Sequence, residues 1–449
     1  MEETRIESPE FSDDFLALQF TAAYEADLRF VPLWGKWLRW DGARWRDDTT
    51  LMAYDRARKV VRQHAVELGG LGSNRPDAAI KLASAKTVAA VERLARSDQT
   101  LAVSNDIWDL DPWFLNTPDD VAVLSTGDPR PHDPLLYMTK LTAVSPEGDC
   151  PLWCAFLIRV TDGDNELQAY LQRVAGYCLT GCTCDHAMFF FYGTGANGKG
   201  VFLNTLRAIW ADYAVVAAME TFIETTGERH PTDLAMLRGA RLVIAQETEK
   251  GRHWAEAKIA ALTGGDPIRA RFMRQDYFEY VPQFKLVIAG NHKPTLKTVN
   301  EAIRRRINMI PFTVTIPEAE RDPHLMEKLK AEWPGILRWA VEGCLEWQRI
   351  GLAPPPAVRD PTAHYLAEED AFACWIEDCC VTGKQQWGIG DRLWRSWKTW
   401  AEGNNEKPGG RKTFAQTMAA NGYTASTSQN VRGYAGIDLK PTANARYPD

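Results

Sequence analysis

Long hydrophobic runs are missing from this chain of 449 residues, and no apolar stretch reaches the roughly 18 residues that a membrane-spanning helix requires. The first residues, MEETRIESPEFSDD, are acidic, where a secretory signal would begin basic and then turn apolar. Together these absences predict no membrane contact and a cytoplasmic location. Cysteine is sparse, nine in all, and without a secretory leader it reads as reduced thiols and not as a disulfide framework. Positive charge is not in excess either: 52 Lys plus Arg against 59 Asp plus Glu leave a net charge of −7. A protein basic over its whole surface is excluded, so any nucleic-acid surface must be local. Short internal repeats are also lacking, and 45% hydrophobic with 25% charged residues is ordinary globular usage. At about 150 residues per domain, the length predicts about three domains.

What is present changes along the chain. Trp34, Trp37, Trp40 and Trp45 fall in VPLWGKWLRWDGARW, whose alternation predicts a strand pair turning at Asp41-Gly42, with the indoles packed and not a base-stacking platform. Residues 51 to 105 carry apolar side chains at helical spacing, making the N-terminal third mixed and mostly α. From Asn116 the sequence is turn-rich, and it then enters a helical stretch, NELQAYLQRVAGYCLTG. Residues 187 to 312 alternate short apolar strands with helices, the pattern of an α/β fold with a parallel sheet. Prolines 354 to 356 cannot continue the preceding helix and predict a linker and domain boundary near 352 to 365. Three helices and a hairpin are expected beyond it, in winged-helix order. The expected domains are 1–150, 151–350 and 366–449.

The chemistry concentrates in the alternating region. MFFFYGTGANGKGVF places Gly193, Thr194, Gly195, Ala196, Asn197, Gly198, Lys199, Gly200 and Val201 between a buried strand, Met188 to Tyr192, and an amphipathic helix. That is G-x-x-x-x-G-K in the context a phosphate loop needs: glycines turn N–H groups inward, the helix start favours anions, and Lys199 reaches the β and γ phosphates. The expected ligand is ATP with Mg²⁺. The Ser or Thr that usually ligates the metal is replaced by Gly200, so water and a later carboxylate must hold it. RLVIAQETEKG supplies that carboxylate: strand Leu242 to Ala245 leads into Glu247 and Glu249, 48 residues or more after Lys199, with Glu247 the candidate metal ligand. KLVIAGNHKP runs another strand, Leu286 to Ala289, into Asn291, an amide suited to sensing the γ-phosphate and positioning water. Arg304, Arg305 and Arg306 follow in what reads as a helix, where one arginine could stabilise a neighbouring subunit's transition state while the others form surface ion pairs.

GTGANGKG, VIAQETEKG, LTGGDPIRARF, VIAGNHKP and RRRINMIPF, in this order, resemble the superfamily 3 helicase domain of phage, plasmid and virus primase-helicases. The resemblance extends over about residues 30 to 440, because WGKWLRWDGARW and LSTGDPRPHDP resemble the domain preceding such motors. It implies an AAA+-like P-loop core that forms a hexameric ring, hydrolyses ATP between subunits and translocates on single-stranded or forked DNA. Carried over by position, Lys199 matches the Walker A lysine, Glu247 and Glu249 the Walker B acids, Asn291 the sensor, and Arg305 with Arg306 the arginine pair that includes the finger. The stretch with Lys258, Thr263, Arg269, Arg271 and Arg274 matches the element that reaches into the ring channel. Charge agrees, since residues 241 to 310 hold 13 Lys plus Arg against 7 Asp plus Glu. With no paired-Asp primase signature before residue 150, priming is expected to come from a separate primase or other replication protein.

In the tail, GGRKTFAQTMAANGY reads as a recognition helix with Arg411 and Lys412 near its start, and Arg432 falls on the wing. Trp394, Trp397 and Trp400 are expected in its core. Cys178, Cys182, Cys184 and His186 lack the paired spacing of a zinc site. The sequence therefore predicts an ATP-dependent DNA helicase of a phage or mobile element, with a mixed N-terminal collar, a central ATPase and a C-terminal winged helix. Two other readings stay open: an origin-binding initiator or loader that uses ATP only to assemble on DNA, favoured by Gly200, and an ATPase of another trade such as packaging or defence.

Overall fold

The computed structural model describes residues 8–70, 76–224, 232–246, 253–274, 276–296, 301–404, 406, 408–428 and 431–441, and every structural statement below concerns these. The N-terminal unit consists of α1 (Asp13–Tyr24), β1 (Leu28–Val31), β2 (Lys36–Trp40), β3 (Trp45–Asp47), α2 (Met52–Gly70), α3 (Pro76–Leu82) and α4 (Ala85–Ala95). Its three strands form an antiparallel meander in which β2 and β3 turn at Asp41-Gly42. Gly42 has φ +105, and the Asp41 carboxylate accepts from the N–H groups of Ala43 and Arg44. The tryptophans pack as expected: Trp37 and Trp45 are buried, and the Trp37 indole donates to buried Glu92.

The central region begins with β4 (Phe114–Asn116), β5 (Val121–Val123) and β6 (Pro129–Arg130), a small antiparallel sheet within the stretch read as turns. Then come α5 (Pro151–Val160), α6 (Asn165–Tyr177), β7 (Met188–Tyr192), α7 (Lys199–Trp210), β8 (Ala214–Val216), α8 (Thr232–Ala235), β9 (Leu242–Gln246), α9 (Glu256–Thr263), β10 (Ile268–Ala270) and β11 (Phe278–Tyr280). It continues through β12 (Lys285–Gly290), α10 (Glu301–Arg304), β13 (Ile307–Pro311), α11 (Leu325–Leu329), α12 (Trp333–Ile350) and α13 (Pro356–Glu368). Five strands form one parallel sheet in the order β13-β7-β12-β9-β8. Their residues alternate between two cores. Phe189, Phe191, Ile244 and Val287 face one side with α6 and α12, while Met188, Phe190, Val243 and Ile288 face the other with α9. Burial on both faces is why these strands read as unbroken apolar runs.

Two boundaries differ from the sequence reading. Leu115, Ala122 and Leu124 belong to the core of the central sheet, whereas the N-terminal core spans Leu16 to Leu101, so β4 and β5 pack with the centre while Tyr137 packs back on Trp45 and Trp108. Downstream, α13 starts at Pro356, a first-turn position where the missing N–H costs nothing, and it packs back on β13. Thr362 Oγ1 accepts from Met309 N at 2.9 Å, and Tyr365 is buried in the second core. The expected linker is therefore a short break after Ile350 followed by a helix of the central region.

Two buried cations stand at the start of the central strands. Arg241, just before β9, donates to the carbonyls of Leu179, Asp111 and Phe114. Lys285, opening β12, is 1% exposed and donates to carbonyls of Thr180, Cys182 and Gln283. Burial pushes its ammonium down to about 8.

The C-terminal module holds α14 (Ala371–Cys379), β14 (Cys380–Ile389), α15 (Gly390–Gly403), α16 (Arg411–Ala420), β15 (Thr424–Ser428) and β16 (Val431–Leu439). The three helices and the β15–β16 hairpin match expectation. β14, pairing with β16, does not appear in the sequence reading. Phe372, Trp375, Leu393, Trp397, Phe414 and Ile437 form its core.

Candidate nucleotide site and basic hairpin

The glycine-rich loop 193–198 connects β7 to α7, the strand and helix placement that the sequence predicts. Thr194, Gly195 and Ala196 are exposed, whereas Asn197 and Lys199 are buried. Gly193 is required by a close approach: a Cβ there would lie 1.9 Å from the Phe312 carbonyl oxygen. Gly198 has φ +87 and would drive a Cβ to 2.5 Å from Val160. Asn197 fastens the loop to the end of β13, its amide donating to Phe312 O at 2.7 Å and its oxygen accepting from Lys199 N at 3.3 Å. Ile316 N also donates to Ala196 O at 2.9 Å.

Parallel pairing of β7 with β12 sets Tyr192 opposite Gly290, so the tip of β12 borders the loop. Lys199 Nζ donates to Asn291 Oδ1 at 3.0 Å, to Gly290 O at 3.0 Å and to Gly193 O. Burial lowers its affinity for a proton, and its hydrogen-bond partners among the described residues are not carboxylates. An ammonium whose partners among the described residues are neutral oxygens can exchange them for phosphate. Gly200 lies in open space, where the nearest atom a Cβ would meet is Asn204 Nδ2 at 4.0 Å. Glycine at position 200 offers no side-chain oxygen to a metal ion. Glu247 and Glu249 lie outside the described residues.

The arginines do not share one helix. α10 ends at Arg304, and Arg305 and Arg306 form the turn into β13. Arg304 pairs with Asp370 at 3.0 Å. Arg306 is 5% exposed, and it donates through Nε to Thr263 Oγ1 at 3.0 Å, Nη1 to Ala302 O at 2.6 Å and Nη2 to Ala260 O at 3.3 Å. These three donors are bonded within the chain. Arg305 is exposed and makes no ion pair among the described residues.

β10 and β11 form an antiparallel hairpin, Ile268 opposite Tyr280, where LTGGDPIRARF was expected to project. Its base is fixed on α8: Tyr280 Oη donates to Leu234 O, and Thr232 Oγ1 donates to Arg271 O at 3.3 Å. Its end carries exposed Arg269, Phe272, Met273, Arg274 and Tyr277. Arg269 and Arg271 both lie over the Tyr277 ring, at 5.0 and 4.6 Å. The sequence reading found the arginines but missed Phe272 and Tyr277, whose signal was their position between basic residues. Lys258 sits on α9, partly buried, away from this cationic cluster in the chain.

In the C-terminal module, Lys412 and Arg432 are exposed, and Arg411 pairs with Asp391. Cys182 and Cys184 adjoin, Cys178 is buried, and His186 Nδ1 bonds Thr263 O at 3.0 Å; among the described residues no cluster of three metal-ligating side chains forms. No described helix is long and apolar enough to cross a membrane.

Two family models match the sequence, "D5 N terminal like" over residues 17–162 and a family of unknown function, DUF5906, over residues 191–306. A protein of Frog virus 3 (isolate Goorha), named "Putative helicase 022R", is 23% identical over 265 residues, covering 54% of this chain and 27% of that protein. "Putative helicase L207/L206" of Acanthamoeba polyphaga mimivirus is 24% identical over 237 residues, covering 49% of this chain and 25% of that protein. The chain thus spans about a quarter of the length of these relatives. The solved apo structure of the NrS-1 C-terminal region shares the fold, with a TM-score of 0.50 at 10% identity over 96% of this chain and 100% of that one. By sequence, parts of the chain are similar to viral proteins named as putative helicases and to the D5 N terminal like and DUF5906 models.

Proposed function

We propose that the chain is an ATP-dependent DNA helicase of the superfamily 3, AAA+-like kind, from a phage or mobile element, working in the cytoplasm as a hexameric ring on single-stranded or forked DNA. The observation that carries this reading is the meeting of Lys199 with Asn291 at 3.0 Å, which sets a phosphate-binding ammonium and a water-positioning amide at the same edge of the sheet. Lys199 and the loop 193–201 would hold ATP, whose hydrolysis supplies the free energy of movement. Asn291 would orient the attacking water, and Glu247 with Glu249 would polarise it and hold metal-bound water.

The position of Arg305 supports a shared active site. β13 runs parallel to β7 with Ile307 opposite Met188, so Arg305 lies at the start of the strands and the phosphate loop at their ends. Five residues of strand separate the two by about 16 Å, too far for an arginine side chain to reach its own loop. Exposed and without an ion pair among the described residues, Arg305 suits a neighbouring subunit's nucleotide. The hairpin tip, with guanidinium groups over Tyr277, suits a single strand whose phosphates meet arginines and whose bases meet aromatic faces. The order of the C-terminal elements suits a winged helix, with Lys412 and Arg432 toward DNA, and priming would come from a separate protein.

The test is ATP hydrolysis with and without single-stranded DNA. Hydrolysis stimulated by DNA and lost in Lys199→Ala supports the motor. The initiator or loader reading is favoured by the open, hydroxyl-free position at Gly200, and ATP-dependent DNA binding with no strand displacement would establish it.

A further inference from the structure

A cavity of about 600 Å³ opens in the C-terminal module, between the start of α15, the first turn of α16 and the β15–β16 hairpin. Its size falls in the range of small-molecule sites. One side is aromatic. Phe414 forms the floor, with the Trp394 ring centroid at 5.4 Å and that of Tyr434 at 6.1 Å, both rings half-buried and lining the space. The other side is cationic. Arg411 is held there by Asp391, whose carboxylate also takes Arg395 at 2.7 Å, and these arginines keep the acid ionised below the usual carboxylate range. Arg432 lines the same space from the hairpin, exposed and making no ion pair among the described residues.

Two glycines keep the walls together. A Cβ at Gly433 would lie 2.4 Å from the Gly388 carbonyl oxygen and 2.5 Å from the Trp387 ring, and one at Gly390 would lie 3.3 Å from the Arg432 carbonyl. Any side chain at Gly433 would lift the hairpin off β14. Ser426 and Thr427 add hydroxyls to the rim, although Ser426 already accepts from the Trp387 indole at 2.9 Å.

A flat π surface beside the Arg432 guanidinium, with Arg411 and Arg395 together outweighing the one Asp391 carboxylate, selects a planar, anionic ligand, because bases stack on aromatic faces while arginine binds phosphate. We propose that this cavity holds one unstacked nucleotide, its base against Trp394 and Tyr434 and its phosphate on Arg432 and Arg411. The proposal rests on the reading of the chain as a DNA-acting protein, and it assigns Arg411 and Arg432 to a pocket and not to the outer face of a groove-reading helix. The nucleotide could belong to an unpaired strand or be a free mononucleotide, and the experiment separates these sources.

The full chain is irradiated with a thymidine oligomer of about 12 nucleotides carrying one internal 5-iododeoxyuridine, or with free 5-iododeoxyuridine monophosphate, and the cross-linked peptides are mapped. Cross-links at Trp394 or Tyr434 are expected with the oligomer, and such cross-links with the free nucleotide alone would assign the pocket to a mononucleotide. Arg432→Gln, an exposed change that leaves the core intact, is expected to reduce their yield by about fivefold or more. The proposal is overturned if neither probe marks Trp394 or Tyr434, or if Arg432→Gln leaves their yield unchanged. Cross-links confined to Phe272 or Tyr277, with strand displacement intact, would sink the pocket and leave the motor standing.

Discussion

Neighbouring arginines with opposite fates give the sharpest test of the site. Arg306 is 5% exposed and spends its guanidinium on Thr263, Ala302 and Ala260. Replacing it by alanine removes three hydrogen bonds from a charged donor and takes that donor from the Ala302 and Ala260 carbonyls, while the Thr263 hydroxyl keeps its bond to Ile259 O. Hydrogen bonds to charged groups contribute about 1.5–3 kcal/mol each, and because losses within one network do not add, a cost of about 3–4 kcal/mol is expected. For a cooperative unit of about 200 residues that is a fall in Tm of about 6–16 °C. Arg305 is exposed and unpaired among the described residues, so Arg305→Ala should change Tm by no more than about 2 °C. Its kcat for ATP should nonetheless fall by about a thousandfold or more, with nucleotide affinity nearly kept, as loss of a finger in trans demands. Thermal melting and steady-state hydrolysis on both variants decide the matter. Equal destabilisation by the two changes, or full hydrolysis by a well-folded Arg305→Ala protein, would refute the division of roles.

Gly200→Ser should be accommodated, since only Asn204 comes within 4.0 Å of the added Cβ, and it should lower the Mg²⁺ concentration needed for nucleotide binding, read by titration with a fluorescent ATP analogue. Tyr277→Ala should weaken single-stranded DNA binding by about fivefold to a hundredfold, the effect of one lost stacking partner, and Arg274→Ala should flatten the salt dependence, both by anisotropy at several ionic strengths. Lys285 carries a pH signature. Its folded value near 8 lies below the ordinary 10.5, so the unfolded chain binds the extra proton between these values. Its contribution is thus fully present above about 10.5 and lost as pH falls through about 8; relative to Lys285→Met, wild-type stability should rise by about 3 kcal/mol over that window in denaturant melts. A constant difference would show that the ammonium is not desolvated.

Legibility followed burial. MFFFY, RLVIA and KLVIAG are apolar because helices cover both faces of the sheet, so the strands and the phosphate loop between β7 and α7 could be placed from sequence. β14 escaped because five successive residues of CVTGKQQWGI, Val381 to Gln385, are exposed, which removes the alternation that marks a half-buried strand. α13 escaped because prolines 354 to 356 signal a break, yet Pro356 is a permitted helix start and the sheet offered Val358 and Tyr365 a core. The arginine triplet showed the residue types and not their burial: Arg306 points into the α9 carbonyls through a turn that local pattern does not encode. The aromatic hairpin tip was readable only in part, since Tyr277 gains its role from guanidinium groups folded over it.

The central claim is a motor whose active sites are completed by neighbouring subunits, and strand displacement on a forked DNA with ATP and Mg²⁺ tests it most directly. Wild-type protein, sized by light scattering, should unwind as a ring. Lys199→Ala and Arg305→Ala should each assemble but fail to unwind, and mixing the two should restore activity at interfaces that pair an intact loop with an intact arginine. Unwinding by either variant alone at the wild-type rate would contradict the account.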